Sequence, residues 1–193
     1  MVNRLRNLVP MLVGSCCLFA GVAWADDAPA SADLFGFGTP ASNEDIAGWD
    51  IAIGPDGAEL PAGQGSVADG ERVYQQYCAA CHGLEGHEDP DPRLVGGRGS
   101  LGGENPVLTI GSYWAYPTTL YDYIARAMPF TAPGTLSPDQ VYAVVAYLLH
   151  KNDVVPASQT LDRDTLPAIE MPNRHGFVPD PRPDAGRSEN AGS

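Results

Sequence analysis

The run Cys78-Ala79-Ala80-Cys81-His82 constrains this chain more than any other feature, because it places two thiols beside an imidazole in one short segment. A thioredoxin-like redox pair needs a βαβ setting, whereas the segment upstream has helical spacing and no strand pattern precedes it. A structural zinc site draws four ligands, usually from two paired halves, and the sequence holds no second CxxC or HxxxH. A disulfide across two intervening residues would be strained and would leave His82 without a role. C-x-x-C-H is the signature of covalent haem attachment, in which two thioethers hold the vinyl groups and the adjacent histidine is the proximal iron ligand. The sequence therefore predicts one haem c, attached through Cys78 and Cys81 and ligated by His82.

The other two cysteines, Cys16 and Cys17, fall in a segment expected to be removed. Arg4 and Arg6 precede an apolar stretch from Leu8 to Val22, and Ala23-Trp24-Ala25 gives a small-x-small cleavage site. That is the layout of a secretory signal peptide over residues 1–25, and it predicts a periplasmic protein with no membrane span after processing. A lipoprotein site at Cys16 is less favoured, since the apolar run before it is short and contains Pro10. Loss of the leader removes two arginines and no acid, taking the net charge from −13 to −15. So acidic a chain is a poor ligand for nucleic acid, whose phosphates demand a basic surface. It suits a basic protein partner.

A haem bound by His82 wants a second axial ligand, and Met128, Met171, His87, His150 and His175 are the candidates. His87 is close behind His82 for crossing to the opposite haem face. His150 ends a helix and is expected at the surface. Met128 stands before Pro129, which disfavours helix at the preceding residue, so the thioether projects from a loop; Met128 is the favoured ligand. Met171-Pro172 is similar but lies in a Pro-rich tail, where Met171 is expected to anchor packing.

Three helices are predicted. The first covers Val67–Tyr77 with Ser66 as N-cap. The second covers Thr119–Ala127. The third begins with a Ser137/Gln140 capping box and Pro138 at its first position, and ends near Lys151-Asn152. Pro55-Asp56-Gly57 is a turn signal. Residues 26–65 read as an extended arm packing through Trp49 and Ile51, 66–152 as the haem domain, and 153–193 as a Pro- and Asp-rich extension.

These residues resemble the class I cytochrome c fold, which has a helix before CxxCH, a methionine from a later loop and a C-terminal helix crossing the first. The resemblance implies an all-α, cytochrome c-like fold of three to four helices around the haem, with long irregular N- and C-terminal extensions. It also implies that Gly70 and Tyr74 meet Val144 and Tyr147 at the helix crossing. Pro92-Arg93-Leu94 is similar to that fold's proline loop, so Pro92 would orient His82 through a carbonyl that accepts its ring N–H.

A narrower likeness rests on Gly48-Trp49-Asp50-Ile51, Gly111-Ser112-Tyr113-Trp114, Asp122-Tyr123-Ile124, Arg126-Ala127-Met128-Pro129-Phe130, Asn152-Asp153-Val154-Val155 and Glu170-Met171-Pro172-Asn173. Together they resemble the cytochrome subunit of bacterial sulfane and sulfite dehydrogenases. That family implies His82 and Met128 as iron ligands. It also implies electron transfer from a molybdopterin-containing subunit during periplasmic sulfur oxidation, and onward to a downstream cytochrome or oxidase. Well-known members carry two haem domains; this chain has one CxxCH. The expected role is one-electron transfer without catalysis at the haem. The alternatives are a free electron shuttle or an open-site haem enzyme or gas sensor.

Overall fold

A computed structural model describes residues 38–87 and 93–182. The chain divides into two compact units after Glu44, and the core and the site both belong to the second. A five-residue helix, α1 (Asn43–Ala47), buries nothing. It is followed by β1 (Gln64–Ser66), α2 (Val67–Tyr77), α3 (Ala79–His82), α4 (Pro117–Ala127), α5 (Pro138–Lys151) and β2 (Thr160–Asp162). Among the described residues no helix is long and apolar enough to cross a membrane.

Local chemistry sets the helix ends. The Ser66 hydroxyl accepts the Asp69 N–H at 3.1 Å and starts α2. At α5 the box is reciprocal: Gln140 N–H donates to the Ser137 hydroxyl at 3.3 Å, and Ser137 N–H donates to the Gln140 amide oxygen at 2.9 Å. Helix α4 starts two residues before the predicted Thr119, because Pro117 occupies its first turn, where a missing N–H costs nothing.

Helix α5 is the centre of the core. Its apolar stripe, read from the sequence as Val141, Val144, Val145, Leu148 and Leu149, is only part of what it buries. Every residue from Val141 to Leu149 is buried, Tyr142, Ala146 and Tyr147 included. A helix apolar on all sides must be covered on all sides. The covering comes from both flanks of the 66–152 segment: Leu60 before it, and Val155, Leu161, Leu166 and Met171 after it, all belong to the same core.

That covering corrects two expectations. The fold is helix-rich but not all-α, since β1 and β2 pair antiparallel with Gln64 opposite Asp162, Gly65 opposite Leu161 and Ser66 opposite Thr160. Three-residue strands are too short to carry an alternation signal, and Gly65 contributes no side chain to one. The C-terminal segment is likewise not an irregular appendage: it supplies a strand and three fully buried side chains, Leu161, Leu166 and Met171. The expected packing of the arm through Trp49 and Ile51 is also corrected, because Trp49 is 89% exposed and Ile51 is exposed too. The arm is held instead by buried Leu60 and by polar contacts. Ile53 N–H donates to Asp122 Oδ1 at 3.1 Å, and Thr118 Oγ1 to the Pro55 carbonyl at 3.3 Å. The turn at Pro55-Asp56-Gly57 forms as expected, with Gly57 at φ +71°.

Where α2 crosses α5, a Cβ on Gly70 would lie 1.9 Å from the Ala143 carbonyl oxygen and 2.7 Å from Tyr147 Cβ. Gly65 also abuts Ala143. The partner of Gly70 is therefore Ala143 with Tyr147, where Val144 had been expected. Backbone that close has nowhere to move. Alanine at Gly70 would recover about 1 kcal/mol of helix propensity, against an overpacking cost of about 3 kcal/mol at a site blocked by main chain. Gly70→Ala should thus lower stability by roughly 2 kcal/mol in urea unfolding, and a gain in stability would contradict this crossing.

Candidate haem-binding site

The CxxCH segment begins where α2 stops. Cys78 N–H still donates to the Tyr74 carbonyl at 2.9 Å, after which Ala79–His82 make the single turn of α3. Gly83, at φ +76°, terminates it. The core fixes this turn through one tyrosine. Tyr74 is buried, stacks on Tyr147 of α5 with ring centroids 5.2 Å apart, and its hydroxyl donates to the Gly83 carbonyl at 2.9 Å. A longer contact of 3.4 Å reaches the carbonyl of His82 itself.

Cys78 is half-buried, Cys81 is exposed, and the two are not bonded to each other. Burial pushes the Cys78 thiol up to about 11, with Cys81 adding to the effect. A redox-active CxxC pair works by the opposite shift, toward thiolate. Among the described residues, no three His, Cys, Asp or Glu side chains converge as a metal cluster would require.

Beyond His82 the loop is tied back by a residue that the sequence places at the end of a helix and in the Asn152-Asp153-Val154-Val155 motif. Asn152, buried at the C-cap of α5, donates from Nδ2 to the carbonyls of Leu94 (3.1 Å) and Leu148 (2.8 Å), and its Oδ1 accepts the Gly96 N–H at 3.1 Å. The Gly86 carbonyl accepts the N–H groups of Leu94 and Val95 at 2.8 and 3.0 Å. The segment leaving His82 and the segment at Leu94–Gly96 are thus bonded to each other, and the latter to α5. Only a tertiary contact could reveal this role for Asn152. Pro92 lies outside the described residues.

Met128 caps α4. Its N–H donates to the Ile124 carbonyl at 3.1 Å, its backbone turns extended (φ −123°, ψ 152°), and the peptide to Pro129 is cis. The side chain is half-buried and packs against the core, as do Cys78, Leu94 and Trp114. Of the other candidates, Met171 is in the core, His87 and His175 are exposed, and His150 has Nδ1 3.1 Å from the Val155 carbonyl. His150 is half-buried where the sequence suggested surface.

The donor set fits a haem held by two thioethers. It offers two unbonded cysteines on one turn, a histidine directly after them, and a half-buried methionine on a separate segment. Cys78, Leu94, Trp114 and Met128 are packed against the core yet partly uncovered, which leaves apolar surface that such a group would cover.

Residues 65–148 match the family model described as cytochrome c oxidase, cbb3-type, subunit III. The crystal structure of the sulfane dehydrogenase SoxCD from Paracoccus pantotrophus contains a chain 42% identical to this one, with a TM-score of 0.72 over 80% of this chain and 76% of that one. The curated proteins returned no match. With that identity over that length, the chain belongs to the c-type cytochromes and resembles the cytochrome subunit of the Sox type.

Proposed function

We propose that this cytochrome is the electron-accepting subunit of a periplasmic, molybdenum-dependent sulfite or sulfane dehydrogenase, exported by cleavage after Ala25. The likeness to the SoxCD chain is the observation that carries this reading. Cys78 and Cys81 would attach a single haem within residues 66–152, and His82 and Met128 would hold its iron. The bound haem supplies a one-electron Fe(III)/Fe(II) couple, which methionine ligation places at high potential.

The chain's own part is to hold that couple still and closed. Tyr74 and Tyr147 fix the turn that bears His82, and Asn152 fixes the loop behind it. Pro92 would set the ring orientation of His82 through its carbonyl. With His82 and Met128 both holding the iron, the haem would supply electron transfer and not oxygen or peroxide chemistry. Oxidation of sulfite and water to sulfate releases two electrons and two protons, so each sulfite oxidised by the partner would reduce two equivalents of cytochrome. A downstream cytochrome or oxidase would then reoxidise it. The surplus of acids, 24 against 11 Lys and Arg, favours a basic approach surface on the partner, with association slowing as salt rises.

The test is reduction by the substrate. The holo-cytochrome, mixed with the molybdopterin subunit produced from the same source, should be reduced on addition of sulfite or thiosulfate and should stay oxidised without that subunit. Indifference to the subunit, with similar reduction by many unrelated donors, would instead identify a free shuttle.

A further inference from the structure

We infer that the aromatic cleft between Tyr113–Tyr116 and Arg174–Phe177 is a docking site for a segment of the dehydrogenase subunit that presents a carboxylate beside an apolar side chain. The inference rests on the function proposed above. The cleft has a volume of about 650 Å³ and is walled by Tyr113, Trp114, Tyr116, Arg174, His175 and Phe177. Its two sides are stapled together. Asn173 Nδ2 donates to the Tyr113 carbonyl at 2.7 Å, the Tyr113 and Phe177 rings meet edge-on at 5.4 Å, and Trp114 is braced by Tyr123 at 5.8 Å. Yet Tyr113 remains 42% exposed and Phe177 56% exposed. Tyr, Trp, Phe and Arg are the residue types that interfaces concentrate at their energetic centres.

The charge at this place decides the kind of occupant. Of the described arginines, Arg72 pairs with Asp69, Arg126 with Asp122 and Arg182 with Asp180; Arg174, like Arg93, Arg98 and Arg163, forms no such pair, and of those four it alone lines the cleft. Among the described residues its guanidinium has no carboxylate partner, and it lies over the Tyr116 ring 3.9 Å from the centroid. The ring contact places the guanidinium at the cleft, and its fork of N–H donors is the group that receives a carboxylate in bidentate fashion. His175 is offset by Glu170 at 3.7 Å, and no acid lines the cleft. Long-range attraction would thus favour a basic partner, while this cleft would fix register through one local acid on that partner.

Cys78, Cys81, His82 and Met128 do not line the cleft, and Arg174 and Phe177 can be altered while Trp114, which lines the cleft and also packs partly uncovered against the core, is left in place. Holo-cytochromes bearing Arg174→Ala or Phe177→Ser should keep the wild-type spectrum, Arg174→Ala should also keep the melting temperature, and both should bind the molybdopterin subunit on the order of tenfold or more weakly in calorimetric titration. If wild-type protein binds the subunit and both variants stay within about twofold of it, the docking assignment fails while the subunit reading stands. If wild-type protein does not bind the subunit at all, both fail. If the cytochrome alone sediments as a dimer that Phe177→Ser dissociates, the occupant is a second copy of this chain and the inference is overturned.

Discussion

Met128→Ala should abolish the weak near-infrared charge-transfer band of the oxidised protein, which reports sulfur bound to ferric iron. It should also lower the midpoint potential by on the order of 0.1 V, a modest part of the ~0.8 V that axial ligands span. Methionine raises the potential relative to nitrogen or water ligands, so the sign is fixed even if another group fills the position. The reduced variant should also bind carbon monoxide. Met171→Ala makes the control. Met171 is 1% exposed within the core, so its truncation should leave the band in place while costing about 2–5 kcal/mol of stability through the cavity it opens. A band that survives Met128→Ala and disappears in Met171→Ala would reverse the ligand assignment.

The second large effect is expected from Cys78→Ala combined with Cys81→Ala. This variant should emerge from the periplasm without covalent haem and with a much lower melting temperature. A group that binds only the folded state adds to its stability by mass action, and covalent attachment makes that contribution permanent. Cys78 and Met128 are packed against the core but only half-buried, so without haem that apolar surface faces water. A double variant that still carries haem through acid extraction, or that melts like the wild type, would contradict the attachment site.

The helix ends that frame the candidate site could be read in the sequence because their chemistry is local. The CxxCH spacing, the Ser66 cap, the Ser137/Gln140 box and the Pro129 stop each act within four residues, and α2 and α5 begin at their expected caps. What the sequence hid is what acts at long range. Asn152 bonds a loop 56 and 58 residues away, to Gly96 and Leu94, a contact that its place in Asn152-Asp153-Val154-Val155 does not reveal. The β1–β2 pair joins residues almost a hundred positions apart through strands too short for periodicity. One clue to the C-terminal covering was present: α5 is apolar on faces that its predicted stripe does not use, and such faces need cover from outside the haem domain. Trp49 misled for the converse reason, since a large aromatic in a loop segment carries no information about which surface it meets.

The central claim is a single haem covalently attached to this chain and closed on both faces by its side chains. It is tested most directly by producing the chain with a working haem-ligation apparatus and measuring intact mass, acid-resistant haem and the oxidised near-infrared spectrum on one preparation. The account predicts the mass of the chain from Asp26 plus one haem, colour that acid–acetone does not extract, and a sulfur-to-iron band. A colourless product, or haem that extracts freely, would contradict it.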